Sequence, residues 1–174
     1  MSLKFNKHQI ERFSRQIILK DIGTLGQNKI IKSRVLIIGM GGLGCPVAEF
    51  LTRAGVGFIG IIDSDKVDLS NIHRQSLYDI GDLKKSKVIA ARKKLKKINS
   101  KIKVSCHKIR LNKNNYKKIL KNYDYVVDGS DNFKTKFLIN DFCKISKKFL
   151  VSGAISKFDG HVFTFDFKNK NTPC

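Results

Sequence analysis

A glycine-rich hexapeptide, Gly39-Met40-Gly41-Gly42-Leu43-Gly44, is the first group of residues whose spacing indicates chemistry. It matches the pattern G-x-G-x-x-G and lies between an apolar run and a segment with helical periodicity. Glycine carries no Cβ atom, so these residues allow a phosphate to approach backbone N–H groups at a helix N-terminus. Gly39, Gly41 and Gly44 fill the pattern, and Gly42 is a fourth glycine of the hexapeptide expected to contact the nucleotide. The hexapeptide therefore predicts a phosphate-binding turn.

A polar segment, Asp63–Gln75, begins where the next apolar run ends. Asp63 is placed to accept hydrogen bonds from ribose hydroxyls, as an acid at this strand end does in nucleotide-binding folds. The turn and the acid together predict a nucleotide site but leave the nucleotide open, with an NAD-dependent dehydrogenase as one alternative. A dinucleotide fold normally begins an apolar helix here, so the polarity of this segment indicates contact with a ligand.

The segment Asp63–Gln75 resembles the DxDxVxxSNLxRQ stretch of the ubiquitin-activating-enzyme-like adenylyltransferases, the ThiF/MoeB/HesA group. Ile72-His73 departs from this stretch, since Leu-Gln is usual there, and we assign His73 no role. The other motifs that carry the resemblance are Glu11–Gln16, the glycine turn, Ala54–Gly57, Lys87, Asp128–Asn132 and Val151–Ala154. They cover nearly the whole chain in family order.

The resemblance implies ATP-dependent activation of the C-terminal carboxylate of a small ubiquitin-like sulfur carrier protein that ends in Gly-Gly. The products are an acyl-adenylate and pyrophosphate, and the pathway is molybdopterin or thiamine biosynthesis. The main alternative function is that of an adenylyltransferase, or cyclising dehydratase, that acts on a carboxylate of modified transfer RNA. A dehydrogenase would need a substrate domain for which this chain is too short.

The same resemblance implies roles for individual residues. Arg74 and Lys87 bind the phosphates with help from Asn71, Arg15 reaches the triphosphate from the neighbouring subunit of a homodimer, and Asp131 binds Mg²⁺. A terminal carboxylate with a pKa of about 3.3–3.7 is ionised at neutral pH, so the reaction needs cations rather than a general base. The alternatives without a role in the reaction are that Lys87 is a solvated surface lysine and that nearby Asp128 is a helix cap or turn residue.

Cysteines give a separate expectation. Cys174 corresponds by resemblance to the first ligand of a four-cysteine zinc site, and one ligand is too few for tetrahedral zinc. We therefore expect zinc only in a full-length form and expect this chain to be a fragment. The other three cysteines, Cys45, Cys106 and Cys143, lack short spacing, and we expect reduced thiols, with Cys45 packed against the sheet.

The elements that position these residues alternate along the chain, which predicts an α/β, Rossmann-like fold with a mostly parallel sheet flanked by helices. Apolar runs predict strands at 35–38, 58–62, 102–107, 123–128 and 149–153, and three-and-four spacing predicts helices at 45–54, 84–98 and 132–146. We expect a single domain, 1–174. It would comprise an N-terminal helical segment at about 6–33, broken near Gly23, and a core at about 34–154. An antiparallel addition would follow at about 155–170, where the run 161–167 comes after a predicted turn at Asp159-Gly160.

Composition limits the partners. The 174 residues carry 35 Lys plus Arg and 14 Asp plus Glu, a net charge of +21 that attracts polyanions. Neither a recognition helix nor an aromatic-interleaved basic stretch indicates a nucleic-acid surface, so we interpret the charge as compositional and expect no nucleic-acid partner. Without a long apolar run or a secretory leader, we expect no membrane segment and a cytoplasmic protein.

Overall fold

A computed structural model describes residues 5–169, in which six strands form one sheet. The strands are β1 (Arg34–Ile38), β2 (Phe58–Ile62), β3 (Lys103–His107), β4 (Tyr125–Asp128), β5 (Phe149–Ser156) and β6 (Asp159–Asp166). Their order is β3-β2-β1-β4-β5-β6, and every pairing is parallel except the antiparallel pair β5–β6. The predicted α/β fold with an antiparallel C-terminal addition is confirmed.

Helices cover both faces of the sheet. They are α1 (Lys7–Ile17), α2 (Gly23–Lys32), α3 (Gly44–Ala54), α4 (Lys87–Ile98), α5 (Tyr116–Leu120) and α6 (Phe133–Ile145). Side chains alternate along β1, so Val35 and Ile37 pack in one core with α3 and α4, while Leu36 and Ile38 pack in the other with α5 and α6. Burial on both faces explains why the strands read as continuous apolar runs. No helix within residues 5–169 is long and apolar enough to cross a membrane.

Three local expectations differ from the structure. Helix α4 begins at Lys87 instead of Lys84, because Lys84 has a left-handed φ of 64° and Ser86 forms an isolated bridge with Lys66. The turn between β5 and β6 lies at 157–158, since Asp159-Gly160 already pairs within β6. Helix α5 was not predicted, because five residues are too few to show helical periodicity.

The N-terminal helices lie at one end of the fold. Phe13 of α1 packs against Gly55, and the Gln16 side chain donates to the carbonyl oxygen of Ala54 at 3.4 Å, so α1 contacts the C-terminal end of α3. Arg12 donates at 2.9 Å to the carbonyl oxygen of Ile98, and Ile98 is the last residue of α4. The break near Gly23 is confirmed, because α2 starts there with a positive φ of 55°.

Candidate nucleotide-binding site

The glycine turn connects β1 to α3 at the carboxyl edge of the sheet. Gly39 has a φ of 87°, and a Cβ atom there would lie 2.8 Å from the carbonyl oxygen of Gly129. A Cβ atom on Gly44 would lie 1.8 Å from the carbonyl oxygen of Gly39. The fold itself therefore requires glycine at both ends of the hexapeptide.

The two central glycines have no such structural reason. A Cβ atom on Gly41 would have no neighbour closer than 3.9 Å, at the side-chain nitrogen of Gln75, and one on Gly42 would lie 3.7 Å from carbons of Arg74. Side chains would fit there without a clash but would fill the open space over the turn. Helix α3 begins without a side-chain cap, but the Cys45 amide already donates to the Gly41 carbonyl oxygen at 3.0 Å and Pro46 has no N–H group, so an anion here would meet the amides of the glycine turn that precede them. This space suits a phosphate.

Asp63 supports the turn from β2. One carboxylate oxygen accepts a hydrogen bond from the Met40 amide at 2.8 Å, and the other accepts from the Asp65 amide at 2.7 Å. The Tyr78 hydroxyl donates to the Met40 carbonyl oxygen at 3.0 Å, so the residue inside the turn is held from both sides. Burial raises the pKa of Tyr78, which keeps the hydroxyl protonated as a donor. The sequence offered no signal for Tyr78.

Asn71 is the centre of a hydrogen-bonded group beside the turn. Its side-chain oxygen accepts from Arg74 Nη2 at 2.9 Å and from Gln75 Nε2 at 3.0 Å. Arg74 also donates to the Ser70 carbonyl oxygen at 3.1 Å, which orients the guanidinium while leaving the residue exposed. Gln75 is 2% exposed, and its side-chain oxygen has no hydrogen-bond partner among residues 5–169. The structure thus brings Asn71 and Arg74 to the glycine turn.

Lys87 lies at the start of α4 with only 8% of its side chain exposed. Its ammonium nitrogen is 3.4 Å from a carboxylate oxygen of Asp65, and its amide donates to the Asp65 carbonyl oxygen at 3.0 Å. Asp65 is bonded to Asp63, so Lys87 reaches the same edge of the sheet as the glycine turn. Burial of a lysine charge is costly, and its position here contradicts the alternative of a solvated surface lysine.

The end of β4 and the turn that follows it carry two acidic residues in contrasting surroundings. Asp131 is exposed, and its carboxylate accepts only from the Asn132 side chain, at 3.3 Å, among the hydrogen bonds described for it. Asp128 is 1% exposed and accepts a hydrogen bond from the Ser130 amide. Asn132 caps α6 by accepting from the Thr135 amide, so Asp128 is not the helix cap; it ends β4 and its carboxylate bonds the turn that follows.

Arg15 is the predicted site residue that does not join the others. It is exposed on α1, next to Gln16, which contacts Ala54 at the end of α3. The eleven residues of α3 separate this end from the glycine turn by about 16 Å at 1.5 Å per residue. That distance exceeds the reach of one side chain, so Arg15 does not contact the glycine turn of its own chain.

Cysteines do not form a metal centre within residues 5–169, where no three metal-ligating side chains cluster. Cys174 lies outside the described residues. Cys45, Cys106 and Cys143 are free thiols, as expected. Cys45 is fully buried behind the glycine turn, and burial raises its pKa to about 11, which fits packing and not nucleophilic chemistry.

Known proteins are similar to this chain in sequence and in fold. The chain is 46% identical over 171 residues to the adenylyltransferase and sulfurtransferase MOCS3 of Culex quinquefasciatus, covering 98% of this chain and 39% of that protein. It is 42% identical over 163 residues to the sulfur carrier protein adenylyltransferase of Thermus thermophilus, covering 94% of this chain and 60% of the relative. A solved structure of E. coli MccB with ATP has 28% identity and a TM-score of 0.72, covering 82% of this chain and 44% of the other.

The chain therefore spans about two fifths to three fifths of the length of these curated relatives. The ThiF family, by its sequence pattern, matches residues 13–174, which include the glycine turn, the polar segment and the β4 turn. Because this match covers more than half of the sequence, the chain belongs to the ThiF family.

Proposed function

We propose that this chain forms the nucleotide-binding part of an ATP-dependent adenylyltransferase for a ubiquitin-like sulfur carrier that ends in Gly-Gly. The observation that carries the proposal is the open space over Gly41 and Gly42, which Arg74 and Gln75 line. A structure of similar fold, E. coli MccB, has been solved with ATP, which supports ATP as the nucleotide. The relative at 42% identity is named a sulfur carrier protein adenylyltransferase, and the relative at 46% identity is named an adenylyltransferase and sulfurtransferase, which favours a carrier over modified transfer RNA.

The chemistry is the attack of a carboxylate on the α-phosphate of ATP. A bond forms between a carboxylate oxygen and the α-phosphorus, and the bond from that phosphorus to the bridging oxygen breaks, which releases pyrophosphate. Both reactants are anions, so the protein must place positive charge where they meet. Arg74 supplies an oriented guanidinium, and Lys87 supplies a buried ammonium close to the same edge.

Asp63 would serve two purposes in this site. Its two oxygens already hold the amides of Met40 and Asp65, which fixes the glycine turn. Each carboxylate oxygen has a second acceptor position, so the same group can also accept from ribose hydroxyls. A purely structural acid would not distinguish one sugar from another.

Magnesium fits the donors on this edge. Mg²⁺ in nucleotide sites is held by one or two carboxylates together with phosphates and water, so a single exposed carboxylate such as Asp131 is sufficient. The ion would supply charge compensation at the triphosphate. Asp131, in the turn that packs on Gly39, is the residue that would hold it.

A second copy of the chain would complete the site. Arg15 lies at the end of α3 opposite the glycine turn, so it acts on a nucleotide only if that nucleotide is bound by a partner subunit. We therefore propose a homodimer with shared sites.

Complementation tests the shared site directly. The variants Arg15→Ala and Arg74→Ala are each expected to lose carrier-dependent ATP–pyrophosphate exchange in the full-length enzyme. Mixed in equal amounts, they should recover about a quarter of wild-type exchange, because half of the dimers are mixed and each has one intact site. No recovery, despite mixed dimers detected by mass, would contradict a shared site.

The adenylation step itself is tested with the Asp131→Asn variant. We expect exchange to be lost while the thermal melting temperature stays unchanged, since the exposed carboxylate is replaced by an amide of equal size. Undiminished exchange would remove Asp131 from the mechanism, and a lowered melting temperature would assign it to the fold.

A further inference from the structure

Asp128 is the most fully satisfied buried carboxylate described near the glycine turn. One of its oxygens accepts from the Ser130 amide at 2.9 Å and from the Ser130 hydroxyl at 2.6 Å. The other accepts from Lys136 Nζ at 3.1 Å and from the Ser152 hydroxyl at 2.8 Å. With four donors already present and 1% exposure, this carboxylate has no room for a metal ion.

The donors come from three different segments. Ser130 belongs to the turn after β4, Lys136 lies on α6, and Ser152 lies on β5. Lys136 also donates to the carbonyl oxygen of Gly153 at 2.6 Å, and only 17% of its side chain is exposed. The ion pair therefore joins the turn, the helix and the neighbouring strand beneath the surface.

The turn held in this way packs directly on the glycine hexapeptide. The Gly129 amide donates to the carbonyl oxygen of Ile38 at 2.9 Å, and the carbonyl oxygen of Gly129 faces Gly39. A Cβ atom on Gly129 would lie 3.2 Å from the amide nitrogen of Gly44. Asp131 is two residues further along the same turn, so a shift of the turn moves Asp131 relative to the glycine turn.

We propose that the buried Asp128–Lys136 pair is a positioning device, which fixes the turn 129–132 and thereby holds the Asp131 carboxylate beside the glycine turn. Stability alone is a poor explanation for the pair, because buried ion pairs are often no more stabilising than apolar residues of similar volume. What an apolar pair cannot supply is the set of directed hydrogen bonds to Ser130 and Gly153. The consequence for magnesium rests on the proposed function, whereas the order of the turn does not.

The first test measures the turn itself, without nucleotide. Amide hydrogen exchange of residues 129–132 is compared for the wild type, the double variant Asp128→Leu/Lys136→Met, and Lys136→Arg, which keeps the charge and its donors. The double variant is expected to exchange at least about tenfold faster in this segment, and Lys136→Arg is expected to exchange like the wild type. Asp124→Asn, at the other end of β4, serves as the matched control.

Unchanged exchange in a folded double variant would overturn the proposal. If the double variant does not fold, Lys136→Gln decides, since it removes the ion pair to Asp128, keeps a polar side chain and lies outside the measured segment. Faster exchange in that variant supports the proposal, and wild-type exchange overturns it.

The second test measures ATP affinity with and without Mg²⁺. The gain in affinity from Mg²⁺ should be lost in Asp131→Asn and reduced at least about fivefold in the double variant. If the double variant keeps the whole Mg²⁺-dependent increase in ATP affinity while Asp131→Asn loses it, the positioning role is overturned and the proposed function stands. If Asp131→Asn keeps the whole Mg²⁺-dependent increase in ATP affinity, the proposed metal role of Asp131 is contradicted. Hydrogen exchange would still decide whether the pair orders the turn.

Discussion

The variant Lys87→Met tests whether the charge of Lys87 serves ATP binding or the stability of the fold. The side chain of Lys87 is 8% exposed, and the partner described for it is Asp65, whose carboxylate is 3.4 Å away and 56% exposed. Burial disfavours the ammonium, and a partner so open to solvent offsets that cost weakly. Methionine keeps the unbranched stem and removes the charge, so it tests the charge with little change in packing.

The structure gives opposite expectations for folding and for binding. Loss of a partly exposed ion pair costs at most about 1 kcal/mol, and relief of the buried charge offsets it, so the free energy of unfolding should change by less than about 1 kcal/mol. A hydrogen bond from an ammonium to phosphate contributes about 1.5–3 kcal/mol. ATP binding by Lys87→Met should therefore weaken about 10- to 150-fold.

Calorimetric titration with ATP and urea unfolding measure the two quantities on the same preparation. Lys93→Met is the matched control, because Lys93 lies on the same helix and is exposed. Its ATP affinity should equal that of the wild type. Equal losses of affinity in the two variants, or a loss of stability in Lys87→Met large enough to explain weak binding, would refute the reasoning.

Three further predictions concern other buried or ligand-facing groups. If Asp63 accepts from ribose hydroxyls, titration should show tighter binding of ATP than of deoxy-ATP, and tight NAD binding without ATP binding would contradict the proposed function. Burial lowers the pKa of His107, so the unfolded chain binds a proton that the folded chain does not, and melting between pH 7 and 5 should show stability falling below about pH 6.5. His107→Gln should flatten that slope. Cys45, with its pKa raised to about 11, should resist iodoacetamide at pH 8 until the protein unfolds, and rapid labelling of the folded protein would contradict this.

The sequence predicted the centre of the sheet well because β1 and β2 are buried on both faces. Val35 to Ile38 alternate between two cores, which leaves a continuous apolar run that is easily recognised. It failed at the start of α4, where the helical pattern continues through Lys84 although the backbone there is left-handed. Periodicity describes side chains, and it contains no information about a single residue of positive φ.

For the site, the sequence predicted residues that the structure places at the carboxyl edge of the sheet, and it missed residues that contact this edge from distant parts of the chain. Arg74 and Asp63 belong to a recognisable motif. Tyr78 supports the turn through Met40, 38 residues away, and Lys136 reaches Gly153 across 17 residues. Such contacts depend on how the chain crosses the sheet, so no local pattern of residue types reveals them.

The net charge of +21 and the cations of the site act over different ranges, and salt distinguishes them. Exposed lysines are screened beyond about 10 Å at 0.1 M salt, whereas Lys87 is buried and is screened much less. A long polyanion that contacts six to ten exposed charges should lose about 10³–10⁵ in affinity between 50 and 200 mM salt. ATP, held by few groups, should lose far less over the same range. Titrations with ATP and with a single-stranded oligonucleotide at both salt concentrations test this. If ATP loses affinity as steeply as the oligonucleotide, the surface lysines hold the nucleotide, and the glycine turn with Arg74 and Lys87 does not.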